Sequence, residues 1–260
     1  MKWRQLIELD SKSESVRSAE RLLFDGRILG HFWSTLHTRE SYENLPRNAY
    51  GRDVLYRWIA IVEQPGYGNR EEISGAWSAV SSDGGRTWSN LARGHDSVHG
   101  GIELSTGRLL LASYRETRDS ITVYMADSAT GPWRRTVSLA PLRPDSLGFS
   151  EPHLLQLQSG RVLMMIRATA HPYDDQDPRC VLWESYSDDD GKKWVTPFAT
   201  TLWGFPPHLA LLSDGRVLCT CGYRRPPYGQ RACLSSDGVN SAFHVLIESP
   251  DGTNTVRFRD

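Results

Sequence analysis

Ser150–Arg167 reads S-E-P-H-L-L-Q-L-Q-S-G-R-V-L-M-M-I-R, and Cys180–Trp194 reads C-V-L-W-E-S-Y-S-D-D-D-G-K-K-W, with a polar Asp- and Pro-rich loop between them. Two apolar runs flank a Ser-Gly turn at Ser159 and Gly160, a strand–turn–strand signal. The second pair of runs closes around Ser187, Asp189, Gly191 and Trp194, spaced S-x-D-x-G-x-x-W. Together they specify one four-stranded antiparallel sheet.

The same unit recurs along the chain. The phrase L-x-x-G-R-[ILV]-L stands at Leu23–Leu29, Leu104–Leu110, Leu157–Leu163 and Leu212–Leu218, and the last three of its glycines are 53 and 55 residues apart. The first interval, Gly26 to Gly107, is 81, so one repeat carries an insertion with its own apolar run, V-L-Y-R-W-I-A-I-V. A period near fifty with four strands per unit describes a propeller blade rather than a solenoid turn. The expectation is an all-β fold, one propeller domain over residues 1–260, with blades at about 15–90, 97–140, 148–200 and 204–248. W-R-Q-L-I-E-L at the start and T-V-R-F-R at the end read as leftover strands able to close the ring. The repeats leave four, five or six blades open.

Composition agrees. Among 260 residues are nine Trp, ten Tyr and many Gly and Pro, which suits short strands and tight turns. A net charge of −1 favours neither nucleic acid nor an anionic membrane surface as partner. There is no apolar run long enough to span a bilayer as a helix, and M-K-W-R-Q-L-I-E-L-D lacks the apolar core of a secretion signal, so a cytoplasmic location is expected. Cys219 and Cys221 share a strand face with Cys233 near them; buried thiols are expected there ahead of a disulfide or a metal site.

The box itself is turn chemistry. Hydroxyl and carboxylate accept from backbone N–H groups, Gly supplies a positive φ, and Trp packs back on the sheet. Asp83 and Asp189 are therefore expected to hold turns rather than catalyse. His99, His153 and His208 occupy equivalent blade-entry positions and should converge near the axis; shared packing explains this better than a metal, and no cofactor is expected.

The boxes, the G-R turns and three further phrases resemble the sialidase (neuraminidase) superfamily of six-bladed propellers. The phrases are H-G-G-I-E-L at His99–Leu104, S-E-P-H-L-L at Ser150–Leu155 followed by Arg167, and G-Q-R-A-C-L at Gly229–Leu234. The resemblance implies a glycoside hydrolase acting on a sialic acid-like sugar. Its carboxylate is held by three arginines, a tyrosine acts as nucleophile with a Glu as base, and an Asp serves as general acid and base. Forked guanidinium–carboxylate bonds suit that recognition. A phenol with pKa near 10 is about one part in a thousand ionised at neutral pH, roughly 4 kcal/mol uphill, hence the base.

Carried over by position, Glu151 is the base, Arg167 and Arg231 bind the carboxylate, and His99 lines the substrate site. Arg17 is nearest to the first arginine, with Arg21 its competitor, and Asp53 is the Asp available for the acid/base role. No tyrosine follows Tyr228, so Tyr228 or Tyr223, in G-Y-R-R-P-P-Y-G, would supply the phenol or the nucleophile is missing. The partner is expected to be a carbohydrate. Two functions stay open: a sialidase-like hydrolase, and a carbohydrate-binding propeller that has lost its nucleophile.

Overall fold

A computed structural model describes residues 16–34, 39–43, 52–63, 74–114, 119–141, 146–172, 174, 177–225, 229–236, 238, 244–248 and 257–258. They form four antiparallel sheets, each a blade of a β-propeller. Blade one holds β1 (Val16–Leu22), β2 (Ile28–Ser34), β3 (Gly75–Ser81) and β4 (Ala92–Arg93). Blade two holds β5 (Gly101–Glu103), β6 (Leu109–Ser113), β7 (Ile121–Ala126) and β8 (Arg134–Leu139). Blade three holds β9 (Leu147–Gln156), β10 (Val162–Ala170), β11 (Leu182–Ser187) and β12 (Phe198–Ala199). Blade four holds β13 (His208–Leu211), β14 (Val217–Tyr223), β15 (Gly229–Ser235), β16 (His244–Glu248) and β17 (Arg257–Phe258). The C-terminal strand thus extends the last blade as a fifth strand; the N-terminal candidate lies outside the described residues.

Blades pack face to face, which buries their middle strands on both sides. Every residue of β6 and β7 is buried, so L-L-L-A-S and I-T-V-Y-M-A need no alternation, whereas the outer β8 is mostly exposed. One core cluster joins blades two and three through Leu110, Ile121, Phe149, Leu154, Met164 and Ile166. A second joins blades three and four through Leu163, Met165, Leu209, Val217, Cys219 and Cys233. A third sets Leu23 and Leu29 of blade one against Leu109 and Ala126 of blade two. All four cysteines are free and buried, and Cys219 is paired in register with Cys233. The insertion forms helices at Arg39–Glu43 and Arg52–Val62, packed through Tyr42 and Trp58 at 5.5 Å, and no helix among the described residues is long and apolar enough to cross a membrane.

The two complete boxes repeat one set of bonds. Gly191 N donates to Ser187 Oγ at 2.9 Å, Lys193 N to Asp189 Oδ1 at 2.8 Å, and Trp194 Nε1 to Gly191 O at 3.0 Å. Ser81, Asp83, Gly85 and Trp88 make the corresponding bonds, with Thr87 N and Oγ1 donating to the Asp83 carboxylate. These bonds hold the Asp83 carboxyl low, at about 2. The box carboxylates serve their own turns.

Candidate functional site

Antiparallel meanders put the box turns and the G-R turns at one end of every blade. The blade-entry segments and the β2–β3, β6–β7, β10–β11 and β14–β15 connections therefore gather at the other end. Glu151 sits close to that end on β9, the innermost strand of its blade. The strand begins at Leu147, three residues before the S-E-P phrase, so Glu151 lies inside it. The register of β9 against β10 slips between Met165 and Arg167, and Glu151 has a φ of 46°. This is a β-bulge with a left-handed residue, a device that re-aims a side chain. The re-aimed carboxylate accepts a 2.8 Å bond from Arg167 Nη1 through Oε2, with side chains 16% and 14% exposed.

Arg167 also lies over the Phe205 ring, its guanidinium carbon 4.1 Å from the centroid. Arg231, on β15, lies 3.4 Å over Tyr223. Both rings pack edge-on against Trp203, at 5.2 Å for Phe205 and 4.9 Å for Tyr223. Two arginines from different blades thus rest on one aromatic group, at the same end of the molecule. Phe205 and Tyr223, with Arg224, His99 and His208, line a cleft of about 490 Å³. Glu151, Arg167 and Arg231 reach it through those two rings rather than by forming its wall.

The three histidines converge as their spacing requires. Ring centroids are 4.5 Å apart for His99 and His153, 4.4 Å for His153 and His208, and 5.8 Å for His99 and His208. Leu209 N donates to His153 Nδ1 at 2.6 Å, tying blade three to blade four. Burial, reinforced by His208, lowers His99 to about 4 despite the opposing charge of Glu151. Burial, with His99, His208 and Arg21, lowers His153 to about 2. Among the described residues no group of His, Cys, Asp or Glu is arranged to hold a metal. On the far side of the histidines a second cavity of about 450 Å³ is lined by Arg21, Phe24, Glu103, Gln156 and the inner strands.

The other candidates separate. Asp53 is exposed in the first turn of the helix Arg52–Val62, within the β2–β3 connection, and is not brought against Glu151 or Arg167. Arg17 is on β1 opposite Trp33, with its side chain outside the described part, and Tyr228 lies outside it altogether. Two features were not singled out from sequence. Arg225 stacks 3.7 Å over Trp203, and Arg224 lies 5.0 Å from the Phe205 centroid. Asp119 and His171 form a 2.8 Å pair where the β6–β7 and β10–β11 connections meet. The R-R run directly after the strand-end aromatic Tyr223 was the available signal for the first.

Radial antiparallel blades with an arginine–aromatic cleft at the entry end define a β-propeller of the repeat-built kind. The model of the BNR repeat-like domain matches residues 34–241, and the chain belongs to that family. No curated protein sequence matches it significantly. Among solved structures it is similar to a protein of unknown function from Dyadobacter fermentans, with TM-score 0.64 and 18% identity over 90% of this chain and 64% of that one. It is similar to the α-L-arabinofuranosidase Arb93A from Fusarium graminearum, with TM-score 0.58 and 17% identity over 96% of this chain and 69% of that one. The NanB sialidase from Streptococcus pneumoniae gives TM-score 0.57 and 12% identity over 92% of this chain and 49% of that one. The chain therefore spans about two thirds of the first two and half of the sialidase. At these identities the likeness is one of fold.

Proposed function

We propose that this propeller is a carbohydrate-active protein of the glycosidase type whose cleft recognises an acidic, sialic acid-like sugar. The observation that carries the reading is the joint placement of Arg167 and Arg231 on the Phe205–Trp203–Tyr223 group beside the cleft. Guanidiniums supported on rings keep their N–H forks in plane for a carboxylate, and aromatic faces suit the apolar side of a sugar ring. A sialidase, an arabinofuranosidase and an endo-arabinase among the similar structures support the glycosidase class.

In the hydrolytic form of this reading, Glu151 is the base. Arg167 takes its Oε2, which leaves Oε1 for the proton of a phenol, from Tyr228 or Tyr223. The pairing orients the carboxylate, and a phenol so placed attacks the anomeric carbon while an acid protonates the leaving oxygen. Asp53 would fill the acid role only through a movement of the insertion. The binding-only reading is favoured by a different observation: among the described residues, the hydrogen bond that Glu151 accepts comes from Arg167 alone.

Arg167→Ala should weaken a sialic-acid analogue by about 10- to 100-fold, the effect of losing one or two bonds to a charged group. Titration calorimetry on protein with an unchanged circular dichroism spectrum checks this; unaltered affinity refutes the site. A fluorogenic sialoside then separates the two forms. Turnover abolished by Glu151→Gln supports hydrolysis, and saturable binding with no turnover supports the binding module.

A further inference from the structure

The leucines of the repeated G-R phrase record how each blade meets the next. Leu23 and Leu29 pack under blade two, Leu104 and Leu110 under blade three, and Leu157 and Leu163 under blade four, none more than 6% exposed. Their counterparts in blade four, Leu212 and Leu218, are only partly buried, and so is Leu234, paired with Leu218 in register. Val217, Cys219 and Cys233 take the opposite face, against blade three. The face of blade four that would carry a further sheet, by the rule of the first three blades, is therefore apolar and partly in water.

A second apolar patch lies at the same end of the molecule. The position before the turn leucine holds Leu22, Glu103, Gln156 and Leu211 in blades one to four. Glu103 Oε2 accepts from Phe24 N at 2.6 Å and Gln156 Oε1 from Ser105 N at 2.7 Å, so in blades two and three this side chain caps the turn of the blade before. Leu22 has no group that accepts such a bond; it is 68% exposed, and Phe24 beside it 72%. Phe24 and Leu211 line the one turn-end cavity of about 450 Å³, so the two patches border a single mouth. Charge does not oppose an apolar contact there. Asp25 pairs with Arg27 and Asp214 with Arg216 inside their own turns, and Glu20 and Arg21 on β1 bring one charge of each sign.

The outward face of blade one does not fit the open face of blade four. Phe32, Trp77 and Ala79 are already buried on it with Trp88 and Leu91 packed against them, and Arg93 lies 3.8 Å over Trp77. A head-to-tail stack of copies would thus set an open face on a covered one. A two-fold pair needs no such match, since every copy offers both patches at one end.

We propose that the turn end is a self-association surface whose partner is a second copy of this chain. In the two-fold dimer Leu22 and Phe24 of one copy lie on Leu212 and Leu218 of the other, and reciprocally. Exposed apolar groups gathered in this way are what an interface between copies uses. The inference is independent of the acidic-sugar reading, whose residues stand at the entry end.

Sedimentation velocity over about 1 to 100 µM should show a species of twice the chain mass at the upper concentrations. Phe24→Asp and Leu212→Lys, made in separate chains, should each weaken the dimer about 100-fold or more with an unchanged circular dichroism spectrum. Mixing the two variants should restore it, because one contact then joins opposite charges and the other is unaltered. If Leu212→Lys does not fold, Ser213→Lys at the exposed neighbouring position takes its place. A chain monomeric at every concentration overturns the inference, and so does a dimer that neither variant weakens. Folded monomeric variants that stay apart on mixing overturn it as well.

Discussion

The two ends of the blades use the same residue types in opposite ways. At the turn end, charge is settled locally. Arg27 bonds Asp25, Arg216 bonds Asp214, Arg161 bonds Asp188 at 2.7 Å, and the box aspartates accept from their own backbone. At the entry end, Arg167, Arg224, Arg225 and Arg231 lie on aromatic rings, and Arg167 also takes a carboxylate partner from the neighbouring strand. A charge compensated within its own turn, or across to the next turn as at Arg161 and Asp188, holds the turns together. A charge propped on a ring is positioned by that ring rather than by its own turn.

The largest effect expected from this contrast lies at the hub. His31, 3% exposed, is lowered to about 4 by burial and by His95, and His99 and His153 are lowered similarly. Each folded pKa lies below the unfolded value of about 6.5, so below that pH the unfolded chain takes up protons that the folded one refuses. Stability should be flat above pH 6.5 and fall as pH drops towards 4, by up to about 1.4 kcal/mol per pH unit for each such histidine. Urea denaturation from pH 7.5 to 4.5 checks this; a flat profile would mean that the hub accepts protons freely.

Next comes Gly191, whose φ of 81° and whose neighbour Leu110 Cδ1, 2.5 Å from a built Cβ, forbid a side chain. Gly191→Val should lower stability by about 3 kcal/mol through backbone strain and overpacking, while leaving sugar affinity intact in the folded fraction. A loss of affinity out of proportion to unfolding would break the separation of the two ends. Smaller again is Ser187→Ala, which strands the Gly191 N–H and should cost about 1–2 kcal/mol. Arg216→Ala, at an exposed pair, should change neither melting nor binding, because solvent screens such pairs.

Most of the fold was legible because its signals are local and repeated. Each G-R phrase closes a turn through a Leu carbonyl three residues back, as in Gly107 N to Leu104 O at 2.8 Å, and each complete box carries its own hydrogen bonds. His99, His153 and His208 could be gathered by the same period. The site was less legible because its contacts join unlike segments. Trp203 precedes β13 while Arg225 follows β14, and no spacing rule links them. The slip at Glu151 leaves no mark in S-E-P-H beyond its proline, and the helices of the insertion owe their place to Trp58 and Ile59 rather than to any repeat.

That slip has an effect on the whole of β9. Leu147 and Phe149, before it, face the blade-two side at odd positions; Leu154, after it, faces the same side at an even one. The strand is two halves in opposite phase, stitched so that both keep one wall apolar. Removing a single residue between Ser150 and His153 would therefore turn one half inside out, a lesion that no substitution there could imitate, and it would take the acidic group and the imidazole that ties two blades together out of position at one stroke.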